Sequence, residues 1–506
     1  MSFRQAAWEE PLLLEYSGEN RTGFMPIDEE AERLVSSVKR ELGNTAREKL
    51  DLPELSELEV VRHFTRLAQQ SYGVDIGPVP LGSCTMKYNP RLAWKISLSE
   101  LVLDLHPVLL EEEVAQGVLE IMYDLQEWFK ELTGMDECSL QPPAGASGEL
   151  AGILMIRKHH YEHGWVHKNE ILIPDNAHGS NPASASMGGF RVVRIPTDSN
   201  GQVDLEALRH SITENVAGMM LTNPNTLGLF EEKIAEISRL VHEAGGLLYY
   251  DGANLNGILG IVRPGDMGFD IVHLNIHKTF SAPHGSGGPG AGVVCAKGPL
   301  KEYLPGRIVV REGGRYKLKK PAKGVGEMSY AIANIPALIY SYIFILGQGL
   351  EGLRAAAVGS ILASNYFIKL VSNVRGISLP FNSRKPRFHE LVISVKKLTE
   401  ETGVSASDIA RYLLDRGLHA PITYFPLIVE EALMIEFTET ETIENIERYA
   451  QAVKEAVELA YREPDALKNA PVNTTRKRLD AVRANHPATV TPSYKVAKLR
   501  EEGKLE

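Results

Sequence analysis

Residues 81–335 predict an α/β fold built on a mostly parallel sheet, on three observations. Short, continuous apolar runs recur at EILIPD (170–175), VAGMMLTNPN (216–225), GLLYYDGA (246–253), DIVHLNIHK (270–278) and GAGVVCAKG (290–298). Runs of this length without polar alternation are expected of strands covered on both faces. Helical stretches separate them, as crossover connections between parallel strands require. Polar, glycine-containing turns follow the runs, which is where open α/β sheets keep their ligands.

Along the chain, residues 1–80 read as an arm of short charged helices and irregular stretches (EEAERLVSSVKRELGN, LEVVRHFTRLAQQSYG). A helical region at about 111–132 is followed by a short apolar piece, Cys138–Gln141, that ends in PPAGASGE. Gly148–His163 reads as helical. In EEKIAEISRLVHEAGG, Ile234, Ile237, Val241 and Ala244 fall on one helical face and Gly245 is a suitable C-terminal stop. From 336 to 463 the pattern is that of a smaller α/β domain. A long helix (about 336–372) precedes strands at GISLP, HELVISV and ALMIEFT, with helices at ASDIARYLLDRG and TIENIERYAQAVKEAVELAYRE. Thr442 is placed to cap the last of these, and Ile446, Ala450, Val453 and Val457 mark its buried side. The segment 464–506 is a charged, proline-containing tail.

The 506 residues suffice for two or three domains. A net charge of −11 argues against general nucleic-acid binding, which calls for a basic surface. No apolar run is long enough to span a membrane, and the start, MSFRQAAWEEPLLLEY, lacks the layout of a signal peptide, so a cytoplasmic protein is expected. The three cysteines, Cys84, Cys138 and Cys295, have no paired spacing and are expected to be free thiols.

Five motifs fall at predicted strand ends: PPAGASGE, PDNAHGSNP, LTNPNTLG, YYDGAN and NIHKTF. Together they supply what pyridoxal phosphate requires. Lys278 would hold the cofactor as a Schiff base. Asp251, as an anion under the pyridine nitrogen, would keep it protonated and make the ring an electron sink. The amides around Ala146, Ser147 and Gly148 open a helix and are suited to the phosphate. His178 is suited to stacking on the ring, and Asn223 to donating to the phenolic oxygen. Asn275 and His277 flank Lys278 and are grouped with it as cofactor-binding.

Each has a bland alternative: a solvated lysine, a turn aspartate, a helix cap, a loop histidine, an Asx turn before Pro224. The order and placement of all five weigh against it. The glycine-rich HGSGGPGAG after the lysine is either a loop that closes over the cofactor or a tight turn into the next strand. His159 and His163 have chelating spacing, but a solvated helix face is the preferred reading and no metal is expected. Cys84 is either a pocket residue or an inert buried thiol.

GSCTMKYNP (82–90), QPPAGASGE (141–149), DNAHGSNPA (175–183), LTNPNTLGLFE (221–231), YYDGANLNGILG (249–260), HLNIHKTFSAPHGSGGPGAG (273–292) and LHAPITYFPLIVEEALMIEFTETE (418–441) resemble the glycine dehydrogenase (decarboxylating) family, the P-protein of the glycine cleavage system. The resemblance is to the second subunit of its two-chain form. It implies a fold-type-I pyridoxal phosphate enzyme, aspartate aminotransferase-like, with Lys278 as Schiff-base lysine, Asp251 as pyridinium partner, His178 as ring-stacking residue and AGASGE as phosphate site. It further implies decarboxylation of glycine, transfer of the aminomethyl group to the lipoyl arm of the H-protein, and a heterotetramer with a first subunit. The rivals are another fold-type-I enzyme (aminotransferase, amino-acid decarboxylase or desulfurase) and a non-catalytic scaffold subunit. The arm 1–80 is expected to pack against the partner subunit.

Overall fold

Runs of three to seven residues bounded by turns, most of them apolar, produce the central sheet. Its strands are β1 (Glu137–Ser139), β2 (Glu170–Pro174), β3 (Arg191–Ile195), β4 (Val216–Thr222), β5 (Leu247–Gly252), β6 (Ile271–Asn275) and β7 (Gly292–Ala296). They are ordered β1-β7-β6-β5-β4-β2-β3. The computed structural model describes residues 8–16, 28–46, 53–107, 112–285, 290–330, 332–486 and 503. These divide into two compact units, one formed by residues 73–413 with 418–468 and the other by 1–72, 414–417 and 469–506.

In the first unit, β2 to β6 run parallel and β7 lies antiparallel between β6 and β1. β1 therefore points the same way as β6, and the carboxyl ends of β1, β2, β4, β5 and β6 share one edge. Every residue of β2, β4, β6 and β7 is buried, as continuous apolar runs require. The strand period sends Tyr249 to one face, with Ile153 and Ile271, and Tyr250 to the other, with Leu119, Phe129 and Leu274. The helix Gly145–Glu162 lies so close to the sheet at Gly152 that an added Cβ would stand 2.2 Å from the Tyr249 ring. The C-terminal stop expected of Gly245 is present: it takes φ +70° just past the helix Ile234–Glu243.

A hairpin, β8 (Ile308–Glu312) and β9 (Arg315–Lys319), and an antiparallel sheet of β10 (Glu390–Ser394), β11 (Ile422–Thr423) and β12 (Ala432–Glu436), ordered β10-β12-β11, complete the strands. The helices Ile335–Val371 and Ile443–Arg462 pack with this second sheet through Phe367, Tyr449 and Val453. Thr442 caps the latter by accepting from Asn445 N–H. The former is broken at Gly349, whose backbone is non-helical. GISLP is a correction: it forms no strand, only a bridge from Ser378 to Ser394. Pro380 offers no N–H to a ladder, and the chain turns off at once.

The cysteines are a second correction. β1 and β7 pair antiparallel with Cys138 directly opposite Cys295, and the two form a buried disulfide that closes a 157-residue separation. Sequence spacing carries no trace of this, because the strand pairing alone makes them neighbours. Cys84 is the free thiol. In the other unit, buried Glu10 gathers Tyr16 Oη (2.5 Å), His63 Nδ1 (2.9 Å) and Arg66 Nε (2.5 Å), which ties residues 8–16 to the helix Glu57–Gln69. No helix among the described residues is long and apolar enough to cross a membrane.

Candidate active site

Asp251, next to last in β5, is fully buried, where a lone carboxylate would not stay charged without compensation. It has that compensation. Asn181 Nδ2 donates to Oδ2 at 2.8 Å, Thr222 Oγ1 to the same oxygen at 3.4 Å, and Ala253 N–H to Oδ1 at 3.0 Å. His273 Nε2 lies 3.4 Å away. Burial pushes its pKa up, but His273, Asn181, the Ala253 amide and Lys278 outweigh it and hold the carboxyl below its ordinary range. His273 is oriented by Tyr249 Oη at Nδ1 (2.7 Å) and by Asn275 Oδ1 at Nε2 (3.0 Å).

Lys278 follows β6 by three residues, half-buried, and its Nζ donates to the Ser83 carbonyl at 2.7 Å. The helix Gly145–Glu162 starts beside it in space. Its N-cap, Ala144, provides no side-chain acceptor, so the first-turn amides are left for another anion. Gly145 is required there, since a Cβ would stand 2.1 Å from Asn275 Nδ2. Ala146 is exposed and Ser147 half-buried at this opening, while Gly148 packs on His273. Uncapped amides, an ionised buried aspartate and an amine at one sheet edge form a donor set that fits pyridoxal phosphate.

His178 is exposed, its Nδ1 accepting from Ser180 N–H (3.1 Å) and lying 2.6 Å from Ser180 Oγ, and its ring is edge-on to Phe425. His277 lies against His284 with its Nδ1 on the Ala291 carbonyl, and burial lowers its pKa to about 4. Asn223 is fully buried. Its Oδ1 accepts from Glu231 N–H (2.9 Å) and its Nδ2 points to the Met267 sulfur (3.7 Å), so the amide is used inside the turn. Strand alternation gives the site-facing position to Thr222 instead. The glycine-rich loop after Lys278 lies partly outside the described residues, at 286–289. His159 is half-buried and rings with His163 and Trp165, with no third ligand among the described residues.

Three carboxyls were not singled out from sequence. Glu149, four residues into the helix, is buried and accepts from Ser180 Oγ (2.9 Å) and Ser184 Oγ (3.4 Å). Burial first, and Asp251 second, raise its pKa to about 8, which favours the neutral form. Glu390 and Glu436 sit opposite each other on β10 and β12, both fully buried. An acid inside an otherwise apolar run, HELVISV or ALMIEFT, is the signal that marks them. Glu149 with Asp251 and His273, and Glu390 with Glu436 and His389, bring ligand atoms within 4.8 Å of one another. Lys278 acts electrostatically on both groups and supplies the cation itself, so neither is read as a metal centre.

A profile of the glycine cleavage system P-protein matches residues 23–315, more than half the chain, and one of the glycine dehydrogenase C-terminal domain matches 356–478. The chain belongs to the P-protein family. Within it, probable glycine dehydrogenase (decarboxylating) subunit 2 of Aeropyrum pernix is 54% identical over 99% of both chains. That of Sulfurisphaera tokodaii is 53% identical over 100% of this chain and 99% of its own. Among solved structures, an inhibitor-bound glycine decarboxylase (P-protein) superposes with a TM-score of 0.72 at 23% identity, covering 86% of this chain and 99% of that one. Sphingosine-1-phosphate lyase of Burkholderia pseudomallei gives 0.62 at 15% identity, over 85% and 96%. These carry the fold, which is that of the fold-type-I pyridoxal phosphate enzymes, as expected from sequence.

Proposed function

We propose that this chain is the cofactor-bearing subunit of a glycine dehydrogenase (decarboxylating), and that it passes the aminomethyl group left after loss of CO2 to the lipoyl disulfide of the H-protein. One observation carries the reading: Lys278, ionised Asp251 and an uncapped helix N-terminus converge at one sheet edge in a P-protein chain.

When bound, pyridoxal phosphate supplies the sink for the electron pair that departing CO2 leaves on glycine's α-carbon. The first-turn amides at Ala146, Ser147 and Gly148 would hold its phosphate. Asp251 would set a negative charge against the pyridinium, and Asn181, Thr222 and His273 hold Asp251 ionised and in place. Lys278 would give way to glycine's amine, carry protons at Nζ, and take the cofactor back when the aminomethyl group leaves. His178 would be available to the ring from the open side, and Asn275 and His277 would set the lysine's turn. In the transfer, the α-carbon bonds to one lipoyl sulfur, the S–S bond breaks, and the other sulfur leaves as a thiolate that takes a proton.

The first subunit is a partner by the relatives' naming as subunit 2; a tetramer of two plus two is our inference. We assign the assembly to the cytoplasm. The buried Cys138–Cys295 bridge is compatible with that compartment because exchange requires thiol access. Residues 1–80 we assign to contact with the first subunit, and their deletion should dissociate the complex in gel filtration; an intact complex would remove that assignment.

The deciding experiment is exchange of labelled bicarbonate into glycine's carboxyl group by this chain, its first subunit and lipoylated H-protein. Exchange that requires the lipoyl carrier and disappears in Lys278→Ala supports the reading. A coloured protein with no exchange would turn it towards an aminotransferase or another fold-type-I enzyme.

A further inference from the structure

The Ser83–Thr85 loop is held in an unfavourable backbone. Ser83 (φ 60°) and Thr85 (φ 45°) both occupy the left-handed region without being glycine, a conformation that needs its surroundings to enforce it. Two buried carboxyls do so. Glu390 Oε2 accepts from Ser83 N–H at 3.0 Å and Glu436 Oε2 from Thr85 N–H at 2.9 Å. Asn254 Nδ2 donates to the other Glu390 oxygen at 2.6 Å. So clamped, the loop turns the Ser83 carbonyl onto Lys278 Nζ.

The charges around this pair can be counted. Lys87 is taken by Glu439 at 2.6 Å. His389 is fully buried with neither ring nitrogen hydrogen-bonded among the described residues, and burial lowers its pKa to about 3, so it is neutral. Burial raises the Cys84 thiol to about 11, so it too is neutral. Of the other acids that Lys278 reaches, Asp251 is assigned to the pyridinium and Glu149 is pushed towards its neutral form by burial and by Asp251. Lys87 also acts on Glu436 but has the Glu439 carboxylate beside it, so Lys278 is the further cation that the two carboxyls face among the described residues, and a single negative charge balances it.

We propose that Glu390 and Glu436 hold one proton between them and, through the loop they clamp, fix the position and charge of Lys278. They are positioning residues, and the proposal rests on Lys278 as the cofactor's anchor. Two acids forced together in a dry site ionise in succession, the first losing its proton readily and the second reluctantly. Removing either one leaves its neighbour as an ordinary single anion.

The test uses the non-additivity this requires. Glu390→Gln and Glu436→Gln each keep an acceptor oxygen for the loop amide. Cys84, the free thiol between the clamped amides, reports local charge without any cofactor, through its alkylation rate by iodoacetamide. Each single variant should stay within about twofold of the parent at neutral pH, because one negative charge remains, while E390Q/E436Q should react about tenfold faster or more. The same pattern should appear with pyridoxal phosphate bound, as a fall of about one pH unit or more in the titration of the lysine–cofactor absorbance in the double variant alone. Single variants that each give half the double's effect would overturn the proposal, as would a double variant with none.

Should the double variant fail to fold, the parent's alkylation rate across pH 5–9 decides. A second negative charge must appear as an inflection that either single substitution abolishes; no inflection overturns the proposal. A parent that forms no coloured adduct would instead remove the cofactor reading, and the thiol measurement would still decide the pair.

Discussion

Asp251 and His273 stand in direct register on adjacent parallel strands, with Oδ1 and Nε2 3.4 Å apart and both side chains fully buried. Neither could be there alone. The carboxylate needs a polar partner to remain charged, and the imidazole is turned towards it by Tyr249 and Asn275. The site's central charge therefore depends on residues from three neighbouring strands and the helix Ser180–Met187, which contributes Asn181.

Asp251→Asn keeps the shape and removes the charge. It should bind the cofactor yet lose about 10²-fold or more in bicarbonate exchange, since the electron sink loses its electrostatic support. Absorbance and exchange measured on one preparation check this, and undiminished exchange would contradict the role given to Asp251.

Glu149 should cost stability as pH rises. Its folded pKa, about 8, exceeds the ordinary 4.5 because burial and Asp251 oppose ionisation. A raised value means the stability present below pH 4.5 is lost progressively as pH climbs through 8. At pH 7 the cost is about 3 kcal/mol, an upper bound from two to three pH units of mismatch. Glu149→Gln, neutral throughout, should flatten this slope in thermal melts between pH 5 and 8; a parallel slope would contradict it.

Two glycines make a controlled pair. Gly145→Ala drives a Cβ into Asn275 at 2.1 Å and should weaken pyridoxal phosphate binding about tenfold or more, read by spectrophotometric titration. Gly179→Ala, with nothing within 4 Å and a right-handed φ of −61°, should change stability by less than about 0.5 kcal/mol. Equal effects would mean the crowding at Gly145 is not what holds the cradle.

Glu10 ties down its unit of the chain at neutral pH but not in acid. Hydrogen bonds from Arg66 and Tyr16 lower its pKa to about 2 against the opposing effect of burial. A lowered value contributes stability that is present above pH 4.5 and is lost as pH falls towards 2. Limited proteolysis should therefore cut residues 8–72 faster at pH 3 than at pH 7, and Glu10→Gln should bring the faster cutting to pH 7.

Much of the site could be read from the chain because strand ends are local features. An apolar run followed by DGAN or IHKTF announces both the strand and the turn that carries Asp251 or Lys278, whichever strands lie alongside. The helix starting at AGASGE and the cap at Thr442 were legible for the same reason. What escaped was set by pairing. Cys138 meets Cys295 only because β1 joins the sheet beside β7, and Glu390 meets Glu436 only because β10 and β12 pair in that register. Asn223 has the composition of a ligand, but Glu231 and Met267 claim its amide, a contact between residues 8 and 44 positions away. The sequence by itself determined the strands, the helices and which side chains could bear chemistry, because these depend on near neighbours. Only the tertiary structure decided which acids stay charged and which thiols stay free, because those depend on burial and on partners that long-range packing brings together.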